Sequence, residues 1–323
     1  MSYAFKNKAA DYQGVEGLYI PDHVTDIVIS EAINCSTLAK ISNPAYTIES
    51  LGLDRAPVAH YTILEGIEVG QFTGNQFNGE TWEPDNPFRS GEITICQDID
   101  IKKKFSRAEA LSIADNWKKV QDGYEKMLGL ALRNLSEGYG FRMIVSQAAS
   151  YNQGNKAGLQ SHNIDLGSVT NPLLIGKGQG KISATAALER AELALMEAGI
   201  MCGTSQLRVV ASPGFYTRLR SEQAATGANL CCPDNNPNIS GILHPVFGFE
   251  VYSSLYMPRR KLPNGRTVEY VIIANPEHIA SPSDLRYLEW DTVLNDIYLI
   301  GNYTFDTAVL SGRSVAVLAV VLD

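Results

Sequence analysis

The chain has 323 residues, of which 45% are hydrophobic and 19% are charged, so it has enough apolar side chains for a folded core and too few charges for a disordered chain. Its length suggests about two domains. Lys and Arg number 27 against 35 Asp and Glu, a formal net charge of −8, which argues against a protein whose main work is to bind nucleic acid but leaves room for a local basic patch.

The first 91 residues read as an arm followed by a β-ribbon. Residues 1–42 are polar up to a short helix predicted for Pro21–Lys40. Residues 43–91 have no helical pattern, are rich in Gly, Asn and Pro, and exceed the ~12–15 residues of an ordinary connection. They predict an extended hairpin that reaches a neighbouring molecule, with a flexible surface loop as the alternative. Five aromatic residues favour the ordered hairpin and are the candidate intersubunit contacts: Tyr61, Phe72, Phe77, Trp82 and Phe88.

A strand and the longest predicted helix follow the ribbon. Glu92–Lys102 alternates isoleucines with polar residues, which predicts one strand. Ser106 and Glu109 form a capping box, and apolar residues then recur at steps of three or four, which predicts a helix over 106–136 with Gly138 as its stop. The stripe expected to face inward is Ala110, Ile113, Trp117, Val120, Tyr124, Leu128, Ala131 and Leu135.

The second half of the sequence mixes helices with strands. The patterns predict helices at 183–198 and from Ser212-Pro213 onward, and a hairpin turn at Asn264-Gly265. The predicted strands are 207–211, 248–255, 267–274, 297–305 and 314–322. Interspersed helices with mostly antiparallel strands indicate an α+β fold.

The sequence predicts no catalytic residue, no cofactor site and no metal site. The Gly-rich run 176–181 lacks the Walker spacing, and Cys-x-x-Cys and His-Glu-x-x-His patterns are absent. Asp98 and Asp100 share one strand face, which we interpret as a solvated face beside lysines; a hydrolase using this pair or Cys202 is a remote alternative. No stretch approaches the ~18 apolar residues of a membrane span, and five scattered cysteines argue against a disulfide framework. We therefore predict a structural protein, not an enzyme, that acts by association and without a membrane.

Four local patterns, taken in order, resemble the major capsid protein of tailed double-stranded DNA bacteriophages, which has the Hong Kong 97 fold. The ribbon precedes a strand ending in Gln97-Asp98-Ile99-Asp100 and a helix similar to the family's spine helix. The segment 207–216, LRVVASPGFY, is similar to the family's strand and short helix with an aromatic residue. The segment 241–254, GILHPVFGFEVYSS, resembles its Gly-Phe-x-Val-x-x-Ser strand, and 312–322 resembles its final turn and apolar strand.

The resemblance implies an α+β, Hong Kong 97-like capsid fold over nearly the whole chain. It implies an N-terminal arm (1–42), an extended loop (43–91), a P-domain (92–150 and 300–323, with the spine helix at 106–136) and an A-domain (151–299). It implies hexamers and pentamers that close into the icosahedral shell of a virion, assembled in the bacterial host cytoplasm and enclosing DNA without sequence-specific binding. Because the arm begins almost at once, we expect a separate scaffolding protein, and a portal is expected as well.

Two alternatives stay open beside the phage coat. Within the same fold, an encapsulin-like nanocompartment shell protein would enclose cargo enzymes instead of DNA. A phage tail or decoration protein would favour an all-β architecture without the long helix.

Overall fold

The computed structural model describes residues 28–29, 32, 35–51, 58–64, 88–94, 97–106, 109, 117–200, 207–225, 243–246, 249–293 and 296–323. The chain divides into two compact units. The minor unit comprises Met1–Cys35, Asp98–Arg133 and Asp284–Thr304. The major unit comprises Ser36–Gln97, Asn134–Ser283 and Phe305–Asp323.

The structure combines helices with short and long strands throughout. In chain order the elements are α1 (Thr37–Ile41), β1 (Val58–Leu64), β2 (Phe88–Thr94), β3 (Gln97–Phe105), α2 (Trp117–Gln147), β4 (Leu173–Ile175), α3 (Ala184–Glu197), β5 (Arg208–Ala211), α4 (Pro213–Ala225), β6 (Leu243–Val246), β7 (Phe249–Ser253), β8 (Arg259–Lys261), β9 (Thr267–Ala274), β10 (Ile279–Ala280), β11 (Ser283–Val293), β12 (Asp296–Phe305), β13 (Ala308–Val309) and β14 (Val315–Leu322). Mixed helices and sheets confirm the predicted α+β class.

The major unit is built on a seven-stranded sheet in the order β4-β14-β9-β5-β7-β6, with β8 paired to β9. β14 is a central strand in which residues 315–321 are buried, because helices cover both faces of the sheet. On one face Leu318 packs in a cluster with Leu188 of α3 and Phe215 of α4. On the other face Val317 packs in a cluster with Phe141 of α2. Because successive side chains of β14 point to opposite faces of the sheet, the strand contributes residues to both apolar clusters.

The long helix α2 differs from its prediction at its C-terminal end. The capping box predicted ahead of it is confirmed, because the Ser106 amide donates to Glu109 Oε2 at 2.8 Å and the Glu109 amide donates to Ser106 Oγ at 3.3 Å. The described part of α2 begins at Trp117. The predicted end at residue 136 is wrong, since the helix continues to Gln147. Gly138 is therefore not a stop, and the apolar period simply continues through residues such as the buried Phe141.

The inward face of α2 was also predicted incorrectly in part. Ala131 and Leu135 are exposed, whereas Gln121 and Glu125 are buried. The buried face follows residues that are mostly small or polar, at steps of three or four: Gln121, Glu125, Gly129, Leu132, Ser136 and Gly140. Hydrophobicity alone pointed to the wrong side of the helix, because several large apolar residues of α2 lie on its surface.

The single strand predicted over 92–102 is two strands that join different sheets. β2 pairs with β1, whereas β3 belongs to a three-stranded sheet in the order β11-β12-β3. β11 had no counterpart among the predicted strands, because its sequence interrupts its apolar residues with charged ones.

Several other predicted boundaries are confirmed. Ser183 caps α3 by accepting the Ala186 amide at 3.0 Å. Asn264-Gly265 forms the turn between β8 and β9, where Gly265 has φ of +81°, a conformation that favours glycine. The prediction of one helix over Pro21–Lys40 is wrong, because Ser36 has an extended backbone and caps the start of α1 at Thr37. Val28 and Ile29 are helical, and most of the other residues before Cys35 lie outside the described part of the chain.

The two compact units divide the chain differently from the predicted arm, loop, P-domain and A-domain, and those segments stay a prediction. Residues 92–150 and 300–323, predicted as one domain, are divided between the two units. In particular, β14 pairs with β4 and β9, which belong to the predicted segment 151–299. Among the helices that the structure describes, none has the length and apolar character to cross a membrane.

Candidate assembly surfaces

The structure describes the base of the β-ribbon. β1 and β2 pair antiparallel over seven positions, from Val58 opposite Thr94 to Leu64 opposite Phe88. Leu64 and Phe88 therefore lie side by side, with 23 residues of sequence between them. The prediction of a ribbon is confirmed here. The side chains of the five predicted contact residues, Tyr61, Phe72, Phe77, Trp82 and Phe88, lie outside the described part of the chain.

The root of the ribbon is fixed by a small apolar cluster. Ala59 and Ile93 lie directly opposite each other on the two strands. Both are buried against Ile48, Ala280 and Leu310 of the same unit. Burial of an isoleucine contributes about 1.5–3 kcal/mol, so the cluster holds the root of the ribbon in a defined position on the major unit.

A buried carboxylate ties three remote segments together inside the major unit. Glu137 of α2 accepts hydrogen bonds from the Thr37 amide at 2.6 Å, from Ser36 Oγ at 3.2 Å and from Ser254 Oγ at 2.6 Å. It thereby supplies a negative charge at the first turn of α1, where free amides favour an anion. Sequence reasoning missed this role because it ended the helix at residue 136. Continuing the period to Phe141 would have placed Glu137 inside the packed part of the helix.

A second buried carboxylate lies in the minor unit. Glu125 is 1% exposed and accepts a hydrogen bond from Trp290 Nε1 at 3.3 Å. Burial raises the pKa of Glu125 to about 7; the Trp290 hydrogen bond acts against this rise, and the negative charge of Asp122 adds to it. Since burial disfavours the charged form, folding shifts Glu125 toward its protonated state.

The solvent side of α2 carries large apolar residues. Met127 is 66% exposed, Leu130 38% and Leu135 50%. Their spacing of three to five residues places them along one broad side of the helix. Scattered apolar residues are normal on a surface, but a row of large ones on a single helix is typical of a surface that another molecule covers.

The acidic pair considered for hydrolysis is bridged by an amide. Asn302 Nδ2 donates to Asp98 Oδ1 at 2.6 Å and to Asp100 Oδ1 at 3.2 Å, and both carboxylates are on the exposed side of β3. No group of three or more His, Cys, Asp and Glu side chains able to hold a metal occurs among the residues described here. Cys202 lies outside them. The run 176–181 forms the turn that leads toward α3, with Gly178 and Gly180 at positive φ.

Comparison by sequence gives no match, either to a protein-family model or to a curated protein. Comparison by structure gives matches over almost the whole chain. The capsid of Ralstonia phage GP4 aligns with a TM-score of 0.56 at 15% identity, covering 99% of this chain and 97% of that one. The capsid of cyanophage Pam1 aligns with a TM-score of 0.54 at 11% identity, covering 97% of each chain. The chain has the fold of phage capsid proteins.

A further phage structure has the same fold. A structure from Mycobacterium phage Che8 aligns with a TM-score of 0.54 at 14% identity, covering 89% of this chain and 91% of that one. The Hong Kong 97-like, α+β capsid fold predicted from the sequence is therefore confirmed. At these identities the likeness establishes fold, and the names of the individual domains stay predictions.

Proposed function

We propose that this protein is the major capsid protein of a tailed double-stranded DNA phage. The observation that carries the proposal is the near-complete alignment with phage capsid chains, in which 97–99% of both chains is covered for GP4 and Pam1. A match of this extent leaves no large part of the chain outside the capsid fold. Copies of the chain would assemble as hexamers and pentamers into an icosahedral shell.

The surfaces of the molecule support a function by association. The ribbon is rooted in a buried cluster around Ala59 and Ile93, and Met127 and Leu130 of α2 present large apolar side chains to solvent. Contacts between two different surfaces of the same chain generate closed rings when the rotation between successive copies closes. Many such contacts, each of modest strength, are sufficient to hold a closed shell together.

The remaining parts of the proposal follow from the same function. The chain would be located in the virion, after assembly in the bacterial cytoplasm, and would enclose DNA without reading its sequence. A separate scaffolding protein and a portal would assist assembly. Residues 1–42 would form the arm and residues 43–91 the extended loop that lies on an adjacent subunit. We propose no enzymatic activity for the chain.

The test is electron microscopy of the purified chain and of a variant that lacks residues 66–87. We expect the full chain, alone or with a co-expressed scaffold, to form closed shells of tens of nanometres, and the deletion variant to remain a folded, unassembled protein by circular dichroism. A full chain that remains a monomer under all these conditions would contradict the proposal. Shells that co-purify with a protein cargo instead of DNA would favour the nanocompartment alternative.

A further inference from the structure

One edge of the major unit concentrates positive charge in a chain whose overall charge is negative. The strands of the β8–β9 hairpin place Arg259 opposite Glu269 and Lys261 opposite Thr267. β14 pairs on the other side of β9, with Val320 opposite Glu269, so the end of β14 lies beside the hairpin. We call this surface the basic edge, and its members are Lys181, Arg218, Arg259, Arg260, Lys261 and Arg266.

Two acidic side chains are in contact with the basic edge. Asp323 forms an ion pair with Lys181, and its backbone oxygen accepts a hydrogen bond from Arg218. The Lys181 contact, together with the charges of Arg266 and Arg218, holds the pKa of Asp323 below its usual value. Arg259 Nε lies 3.3 Å from Glu269 Oε1. Lys181 and Arg218 contact Asp323, and Arg259 contacts Glu269. Arg260, Lys261 and Arg266 belong to the same hairpin region, so the six basic residues of the edge outnumber its two acidic residues.

The segment between the two ribbon strands has the opposite charge. Residues 65–87 contain five acidic residues and no Lys, Arg or His. The acidic residues are Glu65, Glu68, Glu80, Glu83 and Asp85. Opposite potentials of this kind favour specific association between two surfaces and exclude like-charged partners.

The ribbon and the basic edge are rooted at opposite ends of the major sheet. The ribbon root packs on Ala280 and Leu310, which adjoin the end of the sheet where Val315 pairs with Ala274. The basic edge lies at the other end of the same strands, where β14 terminates. Eight residues of β14 separate the two ends by about 25 Å. A contact between the ribbon of one copy and the basic edge of another therefore joins two different surfaces head to tail, which forms a ring when the rotation between copies closes.

We propose that the basic edge of one copy binds the acidic ribbon segment 65–87 of an adjacent copy. This inference rests on the proposed function, because it identifies where the ribbon binds when the shell assembles. The contact is electrostatic and partly exposed, so it weakens as salt rises. It also specifies which surface of the neighbour the ribbon recognises.

Charge reversal with mixing tests this contact. One variant carries Arg260→Glu and Lys261→Glu in the basic edge, and the other carries Glu80→Lys and Glu83→Lys in the ribbon. The control carries Lys119→Glu and Lys156→Glu, two exposed lysines outside the basic edge, and matches the first variant in charge change. All chains are checked for folding by circular dichroism, treated with nuclease, and assembled at low and high salt under the conditions in which the unmodified chain forms shells.

We expect each reversed variant alone to lose shell formation at low salt and the control to retain it. An equimolar mixture of the two reversed variants should recover hexamers, in which the variants can alternate so that each ribbon meets an edge of opposite charge. Five-membered rings cannot alternate in this way, so closed shells are not expected from the mixture. A chain that carries all four changes should recover closed shells. Recovery by that chain, with no hexamers from the mixture, would indicate a contact within a single copy and would overturn the inference. Normal assembly of the basic-edge variant, with or without lost DNA retention, would overturn it too. If the unmodified chain forms no shells, the proposed function fails, which is a separate result.

Discussion

Glu137 and Thr37 are 100 positions apart in the sequence, yet the Thr37 amide donates to Glu137 Oε1 at 2.6 Å. Glu137 is 2% exposed and also binds Ser36 and Ser254. Three donors share one carboxylate, so the start of α1, the middle of α2 and the residue after β7 are held as one group. This contact fixes the start of α1 to α2 within the major unit.

Replacement of Glu137 by Ala should lower the free energy of unfolding by about 2–4 kcal/mol. The change leaves buried hydroxyl and amide donors without their acceptor, and this loss of hydrogen bonding exceeds that of an exposed polar contact. Urea denaturation followed by circular dichroism measures the effect. Glu189→Ala, at an exposed position of α3, is the control and should change stability by less than about 0.5 kcal/mol. Equal effects of the two substitutions would contradict the role assigned to Glu137.

Two glycines of α2 should respond oppositely to alanine. A Cβ at Gly140 would lie 2.4 Å from Leu38 Cδ2 and 2.9 Å from Thr307 Oγ1, whereas a Cβ at Gly123 would meet nothing within 4 Å. Gly140→Ala should therefore destabilise the chain by about 1–3 kcal/mol through overpacking. Gly123→Ala should stabilise it by up to about 1 kcal/mol through helix propensity. Thermal melts of the two variants, each compared with the unmodified chain, decide the matter, and a neutral Gly140→Ala would refute the packing argument.

The prediction for this helical region succeeded at a local pattern and failed at two glycines. The capping box at Ser106 and Glu109 is a local pattern whose two partners are three residues apart, so it was predictable. The roles of Gly138 and Gly140 were not predictable. The sequence alone does not distinguish a glycine that ends a helix from a glycine whose missing side chain lets Leu38 approach. The partner that distinguishes them lies about 100 residues away and is known only from the fold.

Glu125 should make the stability of the chain depend on pH. Its pKa is raised to about 7, above the value of about 4.3 expected in an unfolded chain, so the folded state binds the extra proton between these values. The contribution is therefore fully present below about pH 4.5 and is lost as pH rises through about 7. Glu125→Gln should remove this dependence and raise stability at pH 8 by about 1–2 kcal/mol.

Thermal melts of Glu125→Gln and the unmodified chain at pH 5.5 and pH 8 measure this effect. Glu277→Gln, at an exposed position, serves as the matched control and should keep the pH profile of the unmodified chain. If Glu125→Gln follows the control at both pH values, the buried carboxylate does not titrate in the range stated here.

The exposed apolar residues of α2 should matter for assembly and not for folding. Met127→Ser with Leu130→Ser removes two large side chains that are exposed in the single chain, so the melting temperature should change little. Shell yield, measured by sedimentation and microscopy, should fall because the apolar surface available for association is lost. Lys119→Ser with Lys126→Ser, also exposed on α2, provides the comparison and should assemble normally. Undiminished shells from the Met127 and Leu130 variant would exclude this surface from the assembly.

For the ribbon, too, the pairing of the strands was predictable from the sequence and the anchoring of the ribbon was not. Its existence followed from composition and alternation, and the pairing from Val58 opposite Thr94 to Leu64 opposite Phe88 confirms it. Its anchoring did not follow, because Ala280 and Leu310, which pack on Ala59 and Ile93, come from segments about 200 residues later. The buried polar face of α2 was missed for a related reason: burial of Glu125 depends on Trp290, which no helical period can reveal.

The central claim is that the ribbon completes its packing on other copies of the molecule. Cryo-electron microscopy of assembled shells, at a resolution that traces residues 65–87, tests this most directly. We predict that this segment contacts an adjacent subunit, with its acidic residues facing Arg260 and Lys261 of that subunit. A segment 65–87 that packs entirely on its own chain, or a chain that stays a compact monomer wherever it is examined, would contradict the account.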